Sequence, residues 1–124
     1  MKSIEWAAGL FEGEGCITTR QGSKNALRHT LDINMTDRDV MENFAEVVGA
    51  KLLGPYKPAS AKQHHQPFWR VCIGSKSEVR RVLELLLPHL GERRAYKALN
   101  CLDDIDNHLF LKGKNYGQRL VSER

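Results

Sequence analysis

The chain has 124 residues, 41% of them hydrophobic, which suits one compact domain with its own core. No apolar run approaches the ~20 residues of a membrane span, and Met1-Lys2-Ser3 leads straight into a helical pattern, so the expectation is a soluble, intracellular protein with no membrane partner. A formal net charge of +4 fits a polyanionic partner, and three widely separated cysteines, Cys16, Cys72 and Cys101, fit reduced packing thiols better than a disulfide framework.

Ser3 can cap a helix predicted over residues 4–13, with Glu5 in its first turn, where negative charge is favoured. Gly9 and Gly13 lie one turn apart beside Ala8 and would leave a groove where another backbone can come close. Glycine inside a helix costs about 0.5 to 1 kcal/mol relative to alanine, so something is gained from that approach, and a packed helix pair is the natural candidate. The helix ends in Glu12-Gly13-Glu14-Gly15, where a carboxylate opposes the macrodipole unless a cation compensates it. Two such ends meeting at one axis would favour a hard cation with oxygen ligands, Mg²⁺ above all. The plain alternative is a surface helix ended by Gly15 with both acids solvated.

Residues 16–20 read as a strand with Cys16, Thr18 and Arg20 opposite Ile17, and 21–25, including Lys24, as a turn. The clearest strand is 27–35: Leu27, His29, Leu31, Ile33 and Met35 alternate with Arg28, Thr30, Asp32 and Asn34. The second set could reach base edges and phosphates if the sheet lies in a major groove, or could simply face solvent. Thr36 or Asp37 can cap a second helix whose stripe is Val40, Met41, Phe44, Val47 and Val48, ended by Gly49.

A third strand is predicted over 51–56, then a polar loop over 57–66 containing Lys57, Lys62 and His64-His65. Those histidines have no ligand partner at zinc spacing, and phosphate contact suits the loop better. The fourth strand, 67–73, directs Trp69, Val71 and Ile73 to the core and Arg70 to the other face beside Phe68 and Cys72. Ser75 and Glu78 have capping-box spacing before Val79, Val82, Leu83, Leu86 and Leu87, a third helix halted near Pro88. A fourth helix begins near Gly91-Glu92 and is expected to bury Ala95, Ala98, Leu99, Leu102 and Ile105. From Asn107 the pattern weakens, which gives one domain over 1–106 and a C-terminal extension over 107–124, either mobile or lying along a partner.

Ala7-Ala8-Gly9-Leu10-Phe11-Glu12-Gly13-Glu14-Gly15 resembles the nine-residue motif of the LAGLIDADG homing endonucleases, with alanine for the first leucine and Glu for both acids. The order of predicted elements agrees with that family's fold. The resemblance implies an α+β domain, homing-endonuclease-like αββαββα with an additional C-terminal helix and a four-stranded antiparallel DNA-binding sheet. It further implies site-specific hydrolysis of both strands of double-stranded DNA at a long pseudo-palindromic target, as in intron homing.

A motif that occurs once implies a homodimer, with Ala8, Gly9, Glu12 and Gly13 at the helix interface and one Glu14 toward each scissile phosphate. Glu14 and the Gly13 carbonyl would hold Mg²⁺, with Mn²⁺ able to substitute. Asp37 maps onto a water-organising position where glutamine is often found, and Arg93 or Arg94 onto a basic position that stabilises the transition state, with the register ambiguous by one residue. The implied DNA contacts are Thr18, Arg20, Lys24, Arg28, Thr30, Asp32, Asn34, Lys57, Lys62 and Arg70. A competing reading is a non-cleaving LAGLIDADG-derived module, maturase-like or regulatory, that binds DNA or RNA; retention of Glu14 argues against it.

Overall fold

The structure, a computed structural model, describes residues 1–22, 27–58 and 66–110, with side chains through residue 107. Helix α1 (Ile4–Glu14) starts where Ser3 Oγ accepts the amide of Trp6 at 3.1 Å, and runs one residue beyond the predicted end. One residue, Gly15, separates it from β1 (Cys16–Gln21), which pairs with β2 (Leu27–Met35). Then come α2 (Arg38–Val48), β3 (Leu53–Tyr56), β4 (Phe68–Ile73), α3 (Lys76–Leu86), a 3₁₀ turn at Leu87–His89, and α4 (Glu92–Phe110). This is the α+β order expected from the sequence, with α4 as the additional helix.

The sheet is antiparallel throughout, in the order β1-β2-β4-β3. Because side chains alternate across a pleat, its register sorts residues onto two faces. Ile17, Leu31, Ile33, Val71 and Ile73 meet Ala7, Ala8 and Phe11 of α1, Met41 and Phe44 of α2, Val79 and Leu83 of α3, and Ala98 and Ile105 of α4. All four helices therefore pack on one side, and no described element covers the other. His29 is the polar residue buried on the core side: Nδ1 lies 2.9 Å from Thr19 Oγ1, and Nε2 lies 3.5 Å from an Asp104 carboxylate oxygen.

Local sequence explains the breaks between elements. Gly49 closes α2 at φ 68°, a conformation glycine adopts without strain, and Arg81 from α3 donates to the carbonyls of Val48 at 2.9 Å and Gly49 at 3.0 Å. Ser75 Oγ accepts the Glu78 amide at 3.3 Å, but the reciprocal half of the predicted capping box is missing because the Glu78 carboxylate pairs with Arg81. That hydrogen bond holds Glu78 below its usual range and raises Arg81. Among the described residues, no helix is long and apolar enough to cross a membrane.

Four expectations need correction. Ala8 is fully buried in the core of this chain, as are Ala7 and Phe11, so it does not line an open groove beside Gly9 and Gly13. Leu99 is 43% exposed; the buried stripe of α4 is Ala98, Cys101, Leu102 and Ile105. Only Cys101 is a core thiol, pushed up to about 12 by burial, whereas Cys16 is exposed and Cys72 half-buried on the uncovered face. Finally, α4 continues to Phe110, so the predicted extension begins inside a helix; residues 111–124 lie outside the described residues.

Candidate active site and nucleic-acid interface

The end of α1 is held by a reciprocal exchange with α4. The Glu12 carboxylate accepts the Gly91 amide at 2.9 Å, placing a negative charge at the N-terminus of α4, where the helix dipole favours it. In return, Arg94 donates from Nη1 to the Gly15 carbonyl at 2.7 Å, placing a cation at the C-terminus of α1. The last turn of α1 has no basic residue of its own, so the compensating charge comes from a helix 79 residues away in sequence. Arg94 Nε lies 3.7 Å from the second Glu12 oxygen, and the guanidinium sits 5.6 Å from the centre of the Phe11 ring.

Gly15 belongs to the same arrangement. Its backbone is extended and open to any residue, but a Cβ there would run into the ring of Phe11. That ring is buried and stacked on Phe44 with centroids 6.5 Å apart, so it has nowhere to move. A hydrogen atom is all that fits between helix and strand.

What is left facing outward is specific. Glu14, the last helical residue, is exposed, as are Gly9 and Gly13, and a Cβ on either glycine would meet nothing within 4 Å. Glu12, assigned from the sequence to a dimer interface, is half-buried, with its carboxylate turned to Gly91 and Arg94 within the chain. Arg93 is exposed, whereas the Arg94 side chain is only 15% exposed and already engaged. Asp37 stands at the N-cap position of α2 without a side-chain cap bond, so its carboxylate remains open to solvent. Cys16 pairs with Asp32 and Met35 ends β2, so the register puts Glu14 and Asp37 at the same end of the β1–β2 ladder.

The uncovered sheet face carries most of the predicted contact residues in one continuous patch. Thr18 lies opposite Thr30, Arg20 opposite Arg28, and Asn34 opposite Arg70, while Asp32 lies between Cys16 and Cys72. Arg20 and Arg28 are both exposed with no ion pair among the described residues, and like charges directly opposite on a sheet repel unless an anion lies over them. Arg70 is different. Its Nε donates to both oxygens of Asp32 at 2.9 and 3.0 Å and its Nη2 to one of them, a contact that raises the guanidinium further above its ordinary value. Lys57 is exposed just past β3, whereas Lys24, Lys62 and the His64-His65 pair fall outside the described residues.

Sequence reasoning missed three features here: the inward role of Arg94, the Asp32–Arg70 pair, and the aromatic pair Tyr56–Phe68, with ring centroids 5.6 Å apart, beside Arg70. The parity of Asp32 and Arg70 was visible; that their strands are neighbours was not.

Among the described residues, no three His, Cys, Asp or Glu side chains are grouped as a metal site. The exposed donors at the end of α1 are one carboxylate and the carbonyls of a last helical turn, all hard oxygens. Such a partial set fits a cation that takes one or two protein carboxylates and fills its remaining positions with water and phosphate, as Mg²⁺ does.

No protein-family model matches the chain, and no curated protein sequence does. Solved structures match it in fold. The homing endonuclease I-CvuI in complex with its target is 19% identical with TM-score 0.65, over 84% of this chain and 66% of that one. The archaeal intron-encoded homing endonuclease I-Vdi141I, complexed with DNA, is 14% identical with TM-score 0.63, over 89% of this chain and 74% of that one. The LAGLIDADG homing endonuclease I-GzeII, in complex with a DNA target, is 11% identical with TM-score 0.72, over 94% of this chain and 40% of that one. The chain therefore has the fold of the LAGLIDADG homing endonucleases, and the stretch that resembles their nine-residue motif forms the end of α1.

Proposed function

We propose that this chain is a DNA endonuclease that acts as a homodimer with a divalent metal, hydrolysing one phosphodiester in each strand of a pseudo-palindromic duplex. The observation that carries this reading is the exposed Glu14 carboxylate at a rigidly tied helix end, beside a glycine face open enough for a second helix. A two-fold pairing of α1 through Gly9 and Gly13 would bring two Glu14 side chains near one axis.

Glu14 and the Gly13 carbonyl would hold Mg²⁺ or Mn²⁺, which when bound lowers the pKa of water and neutralises charge on the phosphate. The remaining work falls to the protein. Asp37, open to solvent at the same end of the ladder, orients water near the phosphate. Arg93 presents its guanidinium to the charge that develops on the phosphoryl oxygens. Arg94 and Glu12 keep the end of α1 in place and do not touch the substrate. Thr18, Arg20, Arg28, Thr30, Asn34 and Lys57 contact the duplex, the two exposed arginines through phosphate. The same Glu14 supports cleavage over a role confined to binding.

The test is incubation of the purified chain with a library of duplexes in Mg²⁺, in Ca²⁺ and in EDTA, with sedimentation to measure its oligomeric state. Cleavage of a subset of sequences in Mg²⁺ only, by a dimer, is expected. Metal-independent binding with no cut at any sequence would point instead to the non-cleaving DNA- or RNA-binding module.

A further inference from the structure

The uncovered face holds two kinds of arginine. Among the described residues, Arg20 and Arg28 have no carboxylate partner, whereas Arg70 is clasped by Asp32 from the adjacent strand. Resting on the DNA-binding reading above, we infer that Arg70 reads one guanine in each half-site and that Asp32 is the residue positioning it, rather than a DNA contact of its own.

The clasp is side-on: Asp32 occupies the edge formed by Nε and Nη2. Guanidinium has five N–H groups, so the outer edge, formed by Nη1 and the second hydrogen of Nη2, is left for another acceptor pair. N7 and O6 of guanine are such a pair, side by side in the major groove at the spacing of that fork. Exposure agrees with this order, since the Arg70 side chain is 39% exposed and that of Asp32 22%, so Arg70 is the more exposed of the two.

Charge separates a base from a phosphate as the target. Phosphate binding is driven by net positive charge, and the Asp32–Arg70 pair has none, whereas Arg20 and Arg28 keep theirs. Base recognition depends on direction more than on net charge, and a guanidinium fixed along one edge has already lost the rotamer freedom that recognition costs. Asp32 thus withdraws Arg70 from the sequence-independent work of its neighbours and gives it an orientation.

Selection from a library randomised over both half-sites, in Ca²⁺, tests this with the full chain, Arg70→Lys and Asp32→Ala. The parent should enrich guanine at one position of each half-site. Arg70→Lys should lower that preference by about ten-fold or more while other positions hold, on the scale of a bidentate arginine–guanine contact. Asp32→Ala should weaken the same position and leave affinity for random duplex unchanged or raised, since it removes a negative charge from the face. A change at a different position would show Asp32 to be a base contact and overturn its positioning role.

A second measurement needs no protein variant: 7-deazaguanine at the selected position removes N7 and should weaken parent binding about ten-fold. Unchanged affinity overturns the inference, as does an Arg70→Lys protein that selects the same sequences or loses affinity uniformly. If the parent retains no duplex of any sequence, the failure lies with the DNA-binding reading itself.

Discussion

Glu12 and Glu14 are the same residue two positions apart on one helix, and Arg93 and Arg94 are the same residue at adjacent positions on another. The inner member of each pair is engaged within the chain: Glu12 holds the start of α4 and Arg94 the end of α1. The outer member of each pair is exposed. Residue type and approximate place could not separate them, because what distinguishes them is direction, and direction follows from how two helices far apart in sequence meet. One acid and one arginine fix the geometry, and one of each stays exposed.

The sharpest way to break this comparison is Glu14→Gln. On the proposed function it lowers cleavage by on the order of 10²–10³-fold or more, the scale of one electrostatic group at a reaction centre, while DNA binding and thermal stability stay near parental values. An unchanged single-turnover rate would remove Glu14 from the chemistry.

Next comes the arginine pair. Arg93→Ala should slow cleavage about 10- to 100-fold with stability within about 0.5 kcal/mol of the parent. Arg94→Ala should cost roughly 1.5 to 3 kcal/mol in urea unfolding, since it removes a charged donor from a shielded carbonyl, and should lose activity through misplacement of α1. If Arg94→Ala unfolds like the parent, the exchange between α1 and α4 is not what holds that junction.

The smallest effects are at the glycines, and they differ in sign. Gly15→Ala should destabilise by about 1 to 3 kcal/mol, through the clash with Phe11. Gly13→Ala meets open space and should stabilise the unassociated chain by up to about 1 kcal/mol through helix propensity, while weakening self-association in dilution experiments. Equal effects at the two positions would erase the distinction between an inner and an outer face of α1.

Much of this was legible in the residues. The alternation over 27–35 separates the two faces of β2 without ambiguity, and capping at Ser3 and Ser75 places two helix starts. The differences have separate causes. Ala8 was assigned by its smallness and its neighbours in the motif, yet it lies a third of a turn from Gly9, on the core side with Ala7 and Phe11. Leu99 keeps helical spacing with Ala95 and Leu102, so period and hydrophobicity both allow it in the stripe; the structure buries Cys101 in its stead. The Asp32–Arg70 clasp spans 38 residues and needs β4 to lie beside β2, a crossover that no periodicity records.

Gly15 has one further consequence. It is the whole of the connection between α1 and β1, and it cannot take a side chain without disturbing Phe11. On the proposed reading, the blade and the reading head of this tool are joined by a hinge too short to bend. The number of base pairs between the cut and the first recognised step is then a property of covalent geometry, and changing the preferred sequence would leave the offset of the cut where it was.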